Sequence, residues 1–154
     1  MPFGRKDNAS QEPSAGLFKA TREIEDYFKN IKNWKCKTQR TENTSSVEID
    51  FNGDNVIVKV RFISVDDDND VLVRAYEVVT QIPEGKRPAI LEVVNSLNDK
   101  YRYAKFVLYD RSVDVEYDFP IGITEVGKVA AEIVSQFVKI IDEAYHELMK
   151  ALWG

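Results

Sequence analysis

Apolar and polar residues follow two different periods along this chain, and the order of those periods is its most informative feature. Apolar residues spaced by three and four predict a first helix that ends near Asn33. Alternating apolar and polar residues then predict about four strands, which are followed by a second helix, two further strands and a long closing helix. Because the second helix splits the strands, we predict an α+β fold with an antiparallel sheet and the element order α-β-β-β-β-α-β-β-α.

The first strands are joined by short polar segments, which favour an antiparallel meander. We predict the first strand around residues 35–41, a loop at residues 42–45, and a turn at residues 52–55 in which Asn and Gly tolerate positive φ. The acidic run at residues 66–70 is expected to form the next break. Apolar residues occur on both predicted faces of this sheet, including Ile57, Ile63, Leu72, Tyr76 and Val78.

The second and third helices flank the second hairpin. Pro88 is tolerated only in a first helical turn, so the second helix cannot begin much before Gly85. Its apolar face is predicted to contain Ile90, Leu91, Val94, Leu97 and Tyr101. The closing helix of about 28 residues spans roughly 42 Å, so part of its apolar stripe is expected to contact the first helix or another chain. Trp34 and Trp153 are interpreted as core or interface anchors at helix ends.

The length of 154 residues fits one domain. Residues 1–14 lack apolar spacing and predict a flexible N-terminal tail, and residues 15–154 are predicted to form the single α+β domain. Ser14 and Thr124 are candidate N-caps for the helices that follow them.

The net charge of -5 argues against a nucleic-acid partner, since phosphate binding needs a basic face. Cationic residues that lie close together in sequence are interpreted as a solvated helix end, namely Lys29, Lys32, Lys35, Lys37 and Arg40. The lone Cys36 excludes an internal disulfide and suits a reducing compartment. There is no apolar core for a secretory signal and no run of about 20 apolar residues for a membrane span, so we predict a cytoplasmic protein with no membrane partner.

The acidic run offers the sharpest candidate for a metal site. Asp66, Asp68 and Asp70 alternate as calcium ligands do, and Glu77 stands at the twelfth position. However, Val71 replaces the glycine that the sharp turn of such a loop needs, and the flanking segments are strands. We interpret the run as a solvated hairpin tip whose charge discourages edge pairing, with weak cation binding as the open alternative.

Other candidate chemistry is weaker. His146 is the only histidine, and a nucleophile–base pair with Cys36 lacks any signature around the cysteine. Residues 85–87 could hold an anion at a helix start, but we interpret them as ordinary surface charge. Three carboxylates on one strand face are interpreted as its solvent side: Asp114, Glu116 and Asp118. We therefore predict no catalytic residue, no metal ligand and no cofactor, and the sequence singles out no partner-binding residue.

Short motifs occur along the chain in a characteristic order. They are Tyr27-Phe28 with Trp34, Ile82-Pro83-Glu84 with Arg87, Val94-Asn95 with Leu97-Asn98, and Ala104-Lys105-Phe106. In this order, over about residues 17–150, the chain resembles the YbjN family of bacterial sensory-transduction regulators, whose fold is similar to that of type III secretion chaperones. One departure is that Ala104-Lys105 stands where such relatives often carry a glycine. The resemblance implies no catalytic residues, a protein-binding or regulatory role, and frequent dimers.

We therefore predict a non-enzymatic, chaperone-like interaction module that binds another protein as a homodimer. An open sheet face and edge would be available to partner chains. The alternative is a small-molecule or divalent-metal binding domain with a pocket between helix and sheet. A third hypothesis, an enzyme of unfamiliar type, would require clustered carboxylates with perturbed pKa values in a cleft.

Overall fold

A computed structural model describes residues 16–122 and 125–154, and the helices and strands within them follow the predicted order. The helices are α1 (Lys19–Asn30), α2 (Arg87–Lys100, preceded by a 3₁₀ turn at Glu84–Lys86) and α3 (Val126–Trp153). The strands are β1 (Lys37–Arg40), β2 (Thr44–Asn52), β3 (Ile57–Val65), β4 (Asp70–Val79), β5 (Lys105–Leu108) and β6 (Val113–Pro120). The predicted α+β class is confirmed.

The strands form one six-stranded antiparallel sheet in the order β1-β2-β3-β4-β6-β5. The predicted meander supplies the first four strands, and the second hairpin joins it through β6. The two shortest strands, β1 and β5, each have four residues and stand at the ends of this order. Among the described residues, each of them therefore has a strand neighbour on one side only.

The chain divides into two compact units, which we describe separately. Unit 1 holds the described residues up to Ile49 together with Arg61–Leu72 and Asp118–Ala131. Unit 2 holds Asp50–Val60, Val73–Tyr117 and Glu132–Gly154. The prediction of a single domain stays a prediction. The expected tail at residues 1–14 and the candidate caps Ser14 and Thr124 lie outside the described residues.

In unit 1, helix α1 is shorter than the sequence predicts, because it ends at Asn30 instead of near Asn33. Asn33 has a positive φ of 62°, a conformation that asparagine tolerates better than most residues. The chain reverses there, and the Trp34 N–H donates to the Phe28 carbonyl at 2.8 Å. Trp34 thus lies beyond the helix, with its ring 5.2 Å from the buried ring of Phe28.

Strand β2 begins at Thr44, so part of the predicted loop is strand. The reason is Ser45, a buried residue whose hydroxyl lies 2.5 Å from that of Thr21 and 3.3 Å from that of Ser64. Ser45 Oγ also accepts the Phe18 N–H at 3.1 Å. Buried hydroxyls need such partners, and this cluster ties β2 to the start of α1.

In unit 2, the turn between β2 and β3 forms where the sequence predicts it, but for a different reason. No described glycine has positive φ. A Cβ at Gly53 would instead collide with the Asp142 side chain of α3. Asp142 Oδ1 accepts the Asn55 N–H at 2.7 Å, so Gly53 is needed because the turn approaches the helix closely.

Helix α2 carries Pro88 in its first turn, as predicted. Ile90, Val94 and Leu97 are buried, whereas Leu91 is 47% exposed. The prediction that Leu91 belongs to the apolar face is therefore wrong. Spacings of four and three residues already place the other three side chains on one line, and Leu91 is rotated by about 100° from Ile90.

Candidate functional site: the two edges of the sheet

The sheet ends in two hairpins that are closed in the same way. The Thr41 N–H donates to the Thr44 carbonyl, and the Tyr109 N–H donates to the Ser112 carbonyl, both at 2.8 Å. Antiparallel residues alternate between pairs bonded to each other and pairs whose backbone groups point outward. The registers of the two hairpins place the outward backbone groups at two residues of each outer strand. In β1 they are Thr38 and Arg40, which we call the β1 edge. In β5 they are Phe106 and Leu108, which we call the β5 edge.

A side chain of α2 occupies one of the two outward positions of the β5 edge. Asn98 Oδ1 accepts the Phe106 N–H at 2.7 Å, and Asn98 Nδ2 donates to the Phe106 carbonyl at 2.9 Å. The amide group thus makes both hydrogen bonds that a neighbouring strand would make at this residue. An incoming strand cannot form a continuous ladder past Phe106.

The β1 edge is open. Within the described part of the chain, the outward backbone groups of Thr38 and Arg40 have no hydrogen-bond partner. Three of the four residues of β1 are exposed. Unpaired N–H and C=O groups on an edge strand are a template for another extended chain, and β1 presents two such residues in succession.

The cationic residues near β1 do not form one continuous patch. Lys29 pairs with Glu25 at 2.8 Å, Lys32 Nζ lies 5.2 Å from the centre of the Trp34 ring, and Arg40 covers Phe18. Lys35 and Lys37 are exposed immediately before and at the start of β1. Their charge disfavours the pairing of two β1 strands with each other.

An arginine clamps the turn of each hairpin. Arg40 donates to the carbonyls of Thr41 and Glu42. Arg87 donates to the equivalent carbonyls, those of Tyr109 and Asp110, at 2.5 Å each. The Arg87 guanidinium is therefore engaged with the β5–β6 turn, which supports the interpretation of residues 85–87 as structural surface charge.

Unit 2 also exposes large apolar side chains on the face of its strands that points away from the buried residues. Ile57 is 66%, Tyr76 49% and Tyr109 46% exposed, and Val107 is half-buried. We call these four residues the outer patch. The predicted two-sided apolar character is present in unit 1 as well, where Ile63 and Leu72 are half-buried.

Glu116, which lies beside the outer patch, is already paired. Glu116 Oε2 accepts the Tyr109 hydroxyl at 2.6 Å and lies 3.9 Å from Arg74 Nε. The hydrogen bond to the carboxylate raises the pKa of Tyr109, because it holds the phenol proton. The negative charge of Glu116 is thus already compensated by Arg74 and Tyr109 beside this aromatic surface.

The acidic hairpin tip has a structural use that the sequence did not reveal. Asp68 Oδ1 accepts the Ala20 N–H at 3.3 Å in the first turn of α1, where a carboxylate is favoured by the free amides and the helix dipole. Asp67 Oδ1 accepts the Asn69 N–H within the tip itself. Among the described residues, no group of three or more His, Cys, Asp or Glu side chains could hold a metal ion.

Asp114 lies on the outer face of β6, opposite Val107, but it is not exposed to solvent, so the prediction of a solvated side chain is wrong. Its side chain is only 8% exposed. Asp114 Oδ1 accepts the Glu77 N–H at 2.8 Å, at a residue where β4 has a positive φ of 52°. The irregular backbone of β4 supplies an N–H that needs an acceptor, and Asp114 satisfies it.

Cys36 shows no sign of activation. Cys36 is half-buried, and burial raises the pKa of its thiol, with Lys29 opposing and Glu25 adding to the shift. A raised pKa keeps the thiol protonated and poorly nucleophilic at neutral pH. His146 is exposed on α3, as the sequence predicts.

Sequence reasoning missed Asn98 and Ser64 as functional side chains. Ser64 occupies an inward position in β3, on the same face of the strand as Val60 and Phe62. A polar residue at such a position is a usable signal of a buried hydrogen bond. Periodicity gave no such signal for Asn98, because it lies on an exposed helix position and its partner belongs to the next strand; only the Leu97-Asn98 motif marked it.

A family model described as "T3SS (YopN, CesT) and YbjN peptide-binding chaperone 1" matches residues 38–154. The match covers most of the chain and all of the strands from Thr38 onward. The chain belongs to this family. The YbjN resemblance and the type III secretion chaperone-like fold are thereby confirmed, and membership supports a protein-binding role. A comparison with curated proteins found no match.

The matched region contains the β1–β2 hairpin from Thr38 onward, the β5–β6 hairpin, α2 and α3. It includes Asn98 and Phe106, which belong to the motifs that carried the resemblance, and their reciprocal hydrogen bonds give those motifs a physical reason. None of the described helices is long and apolar enough to cross a membrane.

Proposed function

We propose that this protein binds an extended segment of another protein, without catalysis, by adding that segment as a strand to β1. The proposal rests on the contrast between the two edges: Asn98 occupies the Phe106 position of the β5 edge, whereas both outward residues of the β1 edge lack a partner among the described residues. Backbone hydrogen bonds supply affinity in strand addition, and side chains supply specificity. The free Cys36 supports placing this activity in the reducing cytoplasm.

The bound segment carries acidic residues. Lys35 and Lys37 are exposed beside the open edge, so a strand with carboxylates would meet opposite charge, whereas nucleic acid would meet a chain of net charge -5.

Two proline substitutions test strand addition, because proline removes a single backbone N–H. In Thr38→Pro the lost N–H points outward, and in Gln39→Pro it points toward β2. Peptides are first selected on the wild-type protein from a random library displayed on phage, and their affinities are measured by fluorescence anisotropy. We expect Thr38→Pro to lose binding while its melting temperature changes little, and Gln39→Pro to lower the melting temperature.

Thr38→Ala keeps the N–H and is the matched control, so it should bind as the wild type does. Equal affinity of Thr38→Pro and Thr38→Ala for the selected peptides would reject strand addition at β1.

We further propose that two copies pair through the outer patch. A two-fold interface uses the same surface on both copies, and Tyr76 and Tyr109 offer exposed aromatic area of the type enriched in interface cores. The pairing of Glu116 with Arg74 and Tyr109 means that burial would not leave the Glu116 carboxylate without a partner.

Light scattering coupled to size-exclusion chromatography tests this pairing. We expect a dimer for the wild type and a monomer for the double variant Tyr76→Ser/Tyr109→Ser. Leu91→Ser removes a similarly exposed apolar side chain from α2 and should remain dimeric. A monomeric wild type would exclude the proposed dimer.

A further inference from the structure

A cleft of about 710 Å³ lies within unit 1, between α1 and the start of α3. Its lining includes Tyr27, four carboxylates, among them Glu25, and three cationic side chains, those of Arg22, Lys29 and Lys128. The two helices approach closely at Gly127, where a Cβ would collide with Tyr27 and would lie 3.0 Å from the Glu23 carbonyl. This close approach fixes the spacing of the two helices beside the cleft.

Glu25 is the unusual member of this lining. It is only 2% exposed, and its Oε2 accepts a hydrogen bond from Lys29 Nζ at 2.8 Å. Its Oε1 has no hydrogen-bond partner among the described residues. A buried carboxylate oxygen without a donor is costly, so this oxygen marks a position where a ligand N–H would be favourable.

The Lys29 ammonium donates a hydrogen bond to only one oxygen of the Glu25 carboxylate. A guanidinium is planar and donates two parallel hydrogen bonds to both oxygens of a carboxylate. Lys29 is 49% exposed, so its side chain can move into solvent and leave Glu25 to an incoming group. Tyr27, which is half-buried in the same lining, offers an aromatic surface of the kind on which guanidinium groups stack.

We propose that this cleft binds the guanidinium group of an arginine side chain from a bound protein, and that the guanidinium displaces Lys29 from Glu25. The source of the arginine rests on the proposed peptide binding, but the chemistry of the cleft does not depend on β1. A site of this kind would select bound segments that carry an arginine, whereas the β1 edge would bind a segment mainly through backbone hydrogen bonds.

The experiment is an NMR titration of the full-length protein with three blocked amino acids: N-acetyl-arginine amide, N-acetyl-lysine amide and N-acetyl-citrulline amide. We expect saturable shifts at Glu25, Tyr27 and Gly127 with the arginine compound. Citrulline has nearly the same shape without the charge and should not bind. Binding of the lysine compound as tight as that of arginine, or no saturation with arginine, would overturn the proposal.

Variants of the ion pair sharpen the test. Glu25→Gln should weaken arginine binding by about tenfold or more, whereas Glu23→Gln makes the same charge change at an exposed carboxylate of the cleft and should have little effect. Lys29→Met removes the competing ammonium and should tighten binding severalfold. Equal losses of arginine affinity in the two glutamate variants would indicate a general electrostatic attraction to the cleft instead of a binding site at Glu25.

Lys29→Arg places a guanidinium on Glu25 within the chain itself. We expect it to block N-acetyl-arginine amide and to raise the melting temperature by about 3 °C. Unchanged affinity in Lys29→Arg would contradict the displacement.

Two further arms separate this proposal from the proposed function. Thr38→Pro should bind N-acetyl-arginine amide normally, so failure of strand addition leaves this result intact. Free arginine should bind no more tightly than the blocked compound. Tighter binding of free arginine would identify a metabolite site and reject a protein as the source.

Discussion

The β1–β2 and β5–β6 hairpins have the same closing hydrogen bond, an outer strand of four residues and an arginine on the same two turn carbonyls. They differ in where a helix is tied to them. Helix α2 reaches the outer strand through Asn98 and Phe106, whereas α1 reaches the inner strand through Thr21 and Ser45. A hydrogen bond from a helix to the outer strand thus occupies an edge position, whereas a hydrogen bond from a helix to the inner strand leaves the edge open to a partner.

The largest expected effect comes from Asn98→Ala, which leaves the N–H and carbonyl of Phe106 without the partner seen in the structure. We expect the free energy of unfolding to fall by about 1–3 kcal/mol, as measured by urea denaturation. The opened β5 edge should also cause association that depends on protein concentration. Asn95→Ala, at an exposed position of the same helix, should change the stability by less than about 0.5 kcal/mol. Similar stability of the two variants would mean that Asn98 does not hold the edge.

The second effect is on the tie of the open hairpin. Ser45→Ala removes the acceptor of the Phe18 N–H and a partner of the Thr21 hydroxyl, so we expect a loss of about 1.5 kcal/mol in the same urea assay. The neighbouring Ser46 is buried to a similar degree, and Ser46→Ala is the matched control that should cost less. Peptide affinity at β1 should persist in Ser45→Ala, since the outward groups of β1 are untouched.

The sequence could predict what depends on local periodicity. Val58, Val60 and Phe62 alternate with polar residues, and the structure buries all three. Asp114 alternates in the same way, but its burial follows from an irregular residue in another strand, which no local pattern reports. The closed edge was equally hidden, because its hydrogen bonds join a surface position of α2 to the backbone of β5. Tertiary ties between polar groups are therefore the part of the candidate site that periodicity does not encode.

The third effect concerns the arginine clamps on the turns. Arg87 connects the start of α2 to a turn more than twenty residues later, whereas Arg40 contacts the residues that directly follow it. We expect Arg87→Ala to cost about 1 kcal/mol and Arg40→Ala less than about 0.5 kcal/mol, by urea denaturation. Arg87→Lys should recover much of the loss, because both carbonyls accept from one nitrogen, Nη1, and an ammonium also carries more than one N–H. Equal losses at the two arginines would remove this difference between the hairpins.

The smallest effect is on the pH dependence, and it distinguishes the hairpins by the residues that flank their outer strands. Burial raises the pKa of Cys36, just before β1, above its ordinary value of 9.0, and a carboxylate hydrogen bond raises the pKa of Tyr109, just after β5, above 10.0. A group whose pKa is raised by folding contributes stability that is complete below the ordinary pKa and is lost as the pH rises through the folded value. Alkaline weakening should therefore begin at lower pH near β1 than near β5, as followed by amide exchange of each hairpin. Cys36→Ala should remove the loss of stability that begins at the lower pH, and Tyr109→Phe should remove the loss that begins at the higher pH. If both hairpins weaken from the same pH and neither substitution shifts that pH, these two groups do not determine the alkaline loss of stability.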